Sequence, residues 1–311
     1  MMTRSADLFE ESRGRLEAIA YRLLGSAGDA EDAVQDTYLR WHAADQDLIE
    51  TPEAWLTKVL TNLCLNQLAS ARARRETYVG QWLPEPVRAG DRMLGPADTV
   101  EQRESVSLAV LTLLERLSPN ERVVYVLREA FGYPHREIAE LLDLTESNCQ
   151  QIYRRAKQHV AGGARTTVDA TAAQRIVAEF LAAVLSGDTE PLIRLLAADA
   201  VSIADGGGRV PARKSPVVGA VAIARYLSNV FRRTPAKAAL VGGEPVFYAD
   251  VVNGAPAVLA VVGDRIFTVL SVVATADGIA AVHLQVNPEK LARLTRQWQA
   301  TGPHRPLDLV W

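Results

Sequence analysis

At 311 residues with 48% hydrophobic and 23% charged side chains, the chain is long enough for two or three domains with real cores. No apolar run reaches the ~18 residues of a membrane span, and the N-terminal MMTRSADLFEESRGR lacks a secretory apolar core, so a cytoplasmic location is expected. A formal net charge of -3 argues against a protein that grips nucleic acid unaided, because duplex affinity comes largely from basic side chains displacing counterions.

In chain order, Leu16, Ile19, Ala20 and Leu23 mark an amphipathic helix that Gly25 ends. A second helix follows, with Asp29, Glu31 and Asp32 expected in its first turn, Ala30, Ala33, Val34, Leu39 and Trp41 inward, and Asp32, Gln35, Asp36 and Arg40 outward. A third starts near Pro52, burying Trp55, Leu56, Val59, Leu60, Leu63 and Cys64, and ends in a basic knot of Arg72, Arg74 and Arg75. Residues 77–107 lose the helical period and read as a linker. Extended at ~3.3–3.6 Å per residue it spans on the order of 100 Å, enough to set its flanking modules several DNA turns apart. Trp82 and Leu83 are too apolar for an idle tether and are expected to dock on a neighbouring surface. Helices at Val106–Leu117 and Asn120–Phe131 are divided by Ser118 and Pro119, a cap and a first-turn proline.

The segment Tyr133–Lys157, YPHREIAELLDLTESNCQQIYRRAK, then fits two short helices and a tight turn, a helix-turn-helix. Ile138, Ala139 and Leu142 form an inward stripe, Asp143 and Leu144 the bend, and Thr145 the cap of a helix from Glu146. Ser147, Asn148, Gln151, Arg154 and Arg155 face outward. Asn and Gln can bond adenine edges and Arg guanine or phosphate, at roughly 1–3 kcal/mol of discrimination per good bidentate pair. The alternative is an amphipathic hairpin with a solvated face. Cys64 and Cys149 both look inward, Cys149 together with Ile152, so neither a disulfide framework nor a metal site is indicated. Arg154, Arg155, Lys157 and Arg165 make a second basic patch, hinting at two reading heads.

These residues carry a family resemblance over the first 163 positions. LLGSAGDAEDAVQDTYLRWH (Leu23–His42), PEAWLTKVLTNLCLNQL (Pro52–Leu68) and the run from Leu114 to Val160 resemble extracytoplasmic-function sigma factors of bacterial RNA polymerase. The resemblance implies a region 2 that docks on core polymerase and opens the minus-ten promoter element, and a region 4 that reads the minus-thirty-five element. Carried over by position, it assigns polymerase binding to Asp32, Gln35, Asp36 and Arg40. It assigns DNA contact to Trp55, Lys58, Asn62, Asn66 and Arg72, alongside the outward face of the helix-turn-helix. It also accounts for the acidic balance, since two weak readers tethered to one enzyme need no strongly basic domain.

Past Gly162 and Gly163 the pattern shifts to helices bracketing β-rich segments. Strands are expected at Ala238–Val241, Pro245–Tyr248, Ala257–Val261, Arg265–Ala274 and Ile279–Val286, with a helix at Ala220–Phe231 and a closing one from Pro288. Curved antiparallel sheet between helices gives an α+β cone resembling the SnoaL-like fold. WLPEP (Trp82–Pro86), DGGG (Asp205–Gly208) and NPEKL (Asn287–Leu291) strengthen the likeness to the sigma group that carries this extension in place of a separate anti-sigma protein.

The expected organisation is therefore multidomain: two all-α sigma modules, region 2 at 1–76 and region 4 at 108–163, plus the cone at 168–300. The linker at 77–107 and a tail at 301–311 complete it. The cone is expected to regulate in cis, packing on region 2 and the linker, through Trp82, Leu83, Pro84, Asp205, Gly206, Asn287, Lys290 and Leu291. Expected partners are core RNA polymerase and promoter DNA, with no membrane and with room for an unknown small ligand in the cone. No cofactor, metal or catalytic residue is assigned. Asp205, Asp264, Tyr226, Tyr248 and His283 are the available acid-base groups, but DGGG reads first as a tight turn and His283 as a satisfied or solvated strand residue. The rival readings are a small-molecule enzyme directed to DNA, and a repressor that needs no polymerase.

Overall fold

The computed structural model describes residues 2–76, 78–95, 106–161, 168, 170–232 and 234–307. Side chains at 2–6, 71–76, 170, 236, 237 and 240 lie outside the description. The chain divides into two units, Met1–Thr77 with Ala89–Ala164, and Tyr78–Arg88 with Arg165–Trp311. The two helical modules thus share one unit, and the first third of the linker belongs to the other.

In the first unit, α1 (Met2–Leu24) stops where Gly25 takes φ 68° and donates its N–H to Tyr21 at 2.8 Å. Helix α2 (Ala27–Ala43) is capped by Ser26, whose hydroxyl accepts from Asp29 N at 3.2 Å. Because the helix begins at Ala27, Asp29 alone of the three expected acids lies in the first turn. Ala30, Ala33, Val34, Thr37 and Trp41 are buried, whereas Leu39 is 55% exposed, against expectation. Residues two apart on a helix point roughly 200° apart, so seating Trp41 inside turns Leu39 out. Helix α3 (Pro52–Glu76) buries Leu56, Thr57, Leu60, Thr61, Leu63 and Cys64, while Trp55 and Val59 are only half-buried.

Beyond the linker, α4 (Leu108–Leu114) is shorter than the expected Val106–Leu117, with Ser107 as its cap. Helix α5 (Pro119–Phe131) opens on a capping box between Ser118 and Glu121. Helices α6 (His135–Leu141) and α7 (Glu146–Ala161) form the helix-turn-helix. Ile138, Ala139 and Leu141 make the buried stripe; Leu142, expected there, is the half-buried C-cap residue instead. Asp143 supplies the bend at φ 53°, and Thr145 Oγ1 accepts from Asn148 N at 3.3 Å.

Arg122 holds this unit's two modules together. Its buried guanidinium donates to Leu23 O at the end of α1 (2.7 Å) and to Leu114 O (2.9 Å), and pairs with Glu115 (2.8 Å). Burial pushes its pKa down to about 9, which still leaves it charged at neutral pH. Arg22, pushed by burial to about 10, similarly ties Ala18 O and Leu94 O.

The second unit is built on a six-stranded sheet in the order β2-β1-β6-β5-β4-β3. It comprises α8 (Ala170–Ser186), α9 (Thr189–Leu195), β1 (Leu196–Asp205), β2 (Val217–Val218), α10 (Ala220–Phe231) and α11 (Pro235–Val241). There follow β3 (Val246–Val252), β4 (Ala255–Val262), β5 (Arg265–Thr275), β6 (Gly278–Gln285) and α12 (Pro288–Ala300). The expected strand at Ala238–Val241 is helical: PAKAALV carries proline at the first helical position and three alanines, the best helix formers. The sheet is mixed rather than antiparallel, because β1 runs parallel to β6. One face packs on α8 and α10 through residues such as Phe180, Ile223, Leu270 and Leu284; the other packs on Leu291, Leu294 and Trp298 of α12.

Replacing Arg122 with Ala leaves two carbonyls and a carboxylate without their cation, and should cost about 3–5 kcal/mol in urea unfolding of the helical unit. An unchanged midpoint would contradict this role for Arg122.

Candidate functional site

The α7 face is presented as its spacing requires. Cys149 and Ile152 point into the core, and Ser147, Asn148, Gln151, Arg154 and Arg155 are all exposed. On the other module Asp32, Gln35, Asp36 and Arg40 are exposed along α2, and Asn62 and Asn66 along α3. Trp55 is half-buried, its ring 5.5 Å from that of Trp41. The side chains of Arg72, Arg74 and Arg75, and Arg165 as a whole, lie outside the described residues.

Lys58 is not free to meet DNA in this arrangement. Its Nζ lies 2.7 Å from Asp143 Oδ1 in the helix-turn-helix bend and donates to Glu140 O at 3.3 Å. Beside it, Thr57 Oγ1 and Tyr133 OH are 3.2 Å apart. The two modules therefore touch through the very surfaces assigned to promoter contact, rather than standing several DNA turns apart. The Lys58 pair is exposed on both sides, so it contributes at most about 1 kcal/mol.

The motifs of the second unit converge on one carboxylate. Asp205 ends β1 and is fully buried. Its Oδ1 accepts from Tyr78 OH (2.6 Å) and Gly207 N (3.0 Å); its Oδ2 accepts from Leu83 N (2.9 Å) and pairs with Lys290 Nζ (2.7 Å). Lys290 also donates to Leu83 O at 2.6 Å and sits 4.1 Å from the Trp82 ring centroid, a cation–π contact. Asn287 caps α12 and donates to Tyr78 OH at 3.0 Å, and Gln285 reaches Pro84 O at 3.3 Å. Burial, then the bond to Asp205, raises the Tyr78 pKa, so the phenol stays a proton donor.

Glycine is required in the adjoining turn. A Cβ on Gly206 would meet Val210 O at 2.2 Å, and Gly207, at φ 60°, would drive one into Asn287 at 2.3 Å.

Further along, Val87 N donates to Asn253 Oδ1 (3.0 Å), Asn253 N to Val87 O (2.8 Å), and Arg88 pairs with Asp250 at 2.8 Å. Leu83 and Val87 are buried. Leu291, grouped by sequence with the linker contacts, packs instead on the sheet with Leu294 and Trp298. Tyr78, Gln285, Arg88 and Asn253 join this site without a motif of their own in the sequence, beyond an aromatic just ahead of WLPEP.

The acid-base candidates do not assemble. Tyr226 packs on one sheet face and Tyr248 on the other, and Asp264 lies in the turn between β4 and β5. His283 is buried on β6, 4% exposed. A cleft of about 390 Å³ is lined by Arg213, Lys214, Ser215, Pro216, Val217 and Val218, without a carboxylate, imidazole or thiol. Among the described residues no cluster of His, Cys, Asp or Glu could hold a metal, and no helix is long and apolar enough to cross a membrane.

A polar, basic helix displayed behind a tight turn defines a helix-turn-helix DNA-binding protein. Comparison with known proteins narrows the class. Residues 8–74 match the family model Sigma-70 region 2 and residues 107–160 match Sigma-70, region 4. The chain is 38% identical over 227 residues to the ECF RNA polymerase sigma factor SigJ of Mycobacterium tuberculosis, covering 72% of each. It is 34% identical over 288 residues to the probable ECF RNA polymerase sigma factor SigI of that organism, covering 90% of this chain and 92% of the relative. The crystal structure of M. tuberculosis SigJ matches with a TM-score of 0.72 at 30% identity, over 92% of this chain and 98% of that one. The chain belongs to the extracytoplasmic-function RNA polymerase sigma factors.

Asp205→Ala strands Lys290 and frees Tyr78 and the Leu83 amide, and a buried pair broken on one side costs about 3–5 kcal/mol. Amide exchange at Leu83 and Val87 should accelerate by at least about a hundredfold in this variant; protection at the wild-type level would show that the carboxylate does not hold the linker.

Proposed function

We propose that this sigma factor directs core RNA polymerase to its promoters in the cytoplasm, and that its C-terminal domain controls the step in cis by holding the linker between the two promoter-reading modules. Region 2 would meet polymerase through Asp32, Gln35, Asp36 and Arg40 and the minus-ten strand through Trp55, Lys58, Asn62, Asn66 and Arg72. Region 4 would read the minus-thirty-five element with Ser147, Asn148, Gln151, Arg154 and Arg155. The observation that carries the regulatory part is the Asp205 hub, which binds linker residues Tyr78 and Leu83 on one carboxylate.

Length explains how such a hold acts. The two promoter elements lie roughly 25 base pairs apart, or about 85 Å of duplex, whereas Lys58 and the helix-turn-helix bend are in contact. Reading both at once therefore requires the modules to part. Extended, residues 77–107 reach roughly 100 Å; with 78–88 fastened to the sheet, 89–107 reach about 65 Å and the fastened segment adds only the roughly 20 Å from β1 to β3. Docking shortens the tether, and release lengthens it. Polymerase, by binding both modules, would supply the free energy of separation, small for the exposed Lys58–Asp143 pair and larger for the buried Arg122 tie to α1.

Run-off transcription with purified core polymerase tests both parts. The full chain should give promoter-specific transcripts, Arg154→Ala or Arg155→Ala should weaken use of the upstream element, and Trp82→Ala or deletion beyond residue 290 should change the yield. Specific operator binding without any polymerase-dependent transcript would favour a repressor, and unchanged yield from both linker-site variants would remove the regulatory reading.

A further inference from the structure

A second polar row lies on the same sheet face as Asp205, one step farther from the end of β6. Cross-strand pairing puts Ile203, His283, Ser271, Ala257 and Asp250 side by side across β1, β6, β5, β4 and β3. The linker traverses this row. Pro84 is held at Gln285 in the row before, while Val87 and Arg88 are held at Asn253 and Asp250 at the far edge. Glu85 and Pro86, both buried, span the strands between. An imidazole and a hydroxyl thus sit at the centre of the surface that the linker crosses, His283 buried and Ser271 Oγ without a hydrogen-bond partner among the described residues. Burying unpaired polar groups costs roughly 1–3 kcal/mol each, so docking proceeds against a built-in penalty that water would relieve.

We propose that His283 is a proton-operated latch: as the neutral imidazole it lets residues 83–88 lie across the sheet, and on taking up a proton it drives them off. The charged and titratable groups on the elements packed against this face are Tyr78, Glu85 and Arg88 of the linker, Asp205 of β1, Tyr248 and Asp250 of β3, and Lys290 and Arg293 of α12. Strands β4 and β5 bring only Ala257 and Ser271 to the row. Asp205 is taken by Lys290, Asp250 by Arg88, and Glu85 has an interaction of its own; burial, with no neighbouring charge opposing it, pushes the His283 pKa down to about 4. The docked state binds fewer protons than the released one. Docking is therefore fully favoured above the ordinary imidazole pKa, about 6.5, and weakens as pH falls from there toward the docked value. The bearing of the latch on transcription rests on the regulatory reading above; the latch itself does not.

Hydrogen–deuterium exchange on the full chain, corrected for intrinsic rates, isolates the effect at the Leu83 and Val87 amides. Between about pH 7.5 and about pH 5.5 their protection should fall roughly tenfold in the wild type, while sheet amides at Val258 and Leu270 stay protected. In His283→Gln, and in His283→Phe as a second neutral replacement, linker protection should not vary with pH. The proposal is overturned if wild-type linker protection is constant over this range, if both variants lose it equally, or if the sheet amides open in step with the linker.

Discussion

A single buried carboxylate organises the C-terminal unit. A carboxylate removed from water would be prohibitive alone; three neutral donors and a cation make Asp205 tolerable there. Those partners come from three places in the chain: the linker, the glycine turn after β1, and the start of α12. Because the carboxylate is compensated only when all are present, residues 78–88 fold as part of a domain that begins more than seventy positions later. The linker is thus a structural element of the cone, with Arg88–Asp250 and the Val87–Asn253 bonds pinning its far end.

The contrast with the helical unit gives the molecule its order of events. There, the surfaces proposed to read the promoter meet through an exposed Lys58–Asp143 pair of little energetic weight, while Arg122 provides the deeper tie to α1. The linker hub, by comparison, is buried and charge-assisted, and therefore costly to break by chance. Parting the modules means breaking the Arg122 tie as well as the surface pair, and under the proposed regulation the linker hub limits how far they go. The net charge of -3 fits the proposed design, in which affinity for DNA is drawn from the shared polymerase rather than from an intrinsically basic surface.

Local patterns carried most of the fold. Capping residues such as Ser26, Ser118 and Thr145 and the outward polar face of α7 can be read directly, because helix ends and faces are set by neighbours in sequence. Errors arose where tertiary context decides. Leu39 and Trp41 cannot both face inward, and nothing local says which wins. PAKAALV is too short for its apolar run to distinguish helix from strand, and the parallel pairing of β1 with β6 joins segments some eighty residues apart. The site was half legible. Trp82, Leu83, Asp205 and Lys290 stood out as short motifs, but Tyr78 meets Asp205 across 127 positions and buried Arg22 and Arg122 carry the residue type least expected inside.

The central claim is that Asp205 and Lys290 act as one unit whose hold on the linker governs transcription. A double-mutant cycle with Asp205→Asn and Lys290→Met, read as promoter-specific run-off yield with purified core polymerase, addresses it most directly. The account predicts that the double variant departs from wild type about as far as either single one, a coupling of at least ~1.5 kcal/mol. Additive effects, or wild-type yield from all three variants, would contradict it.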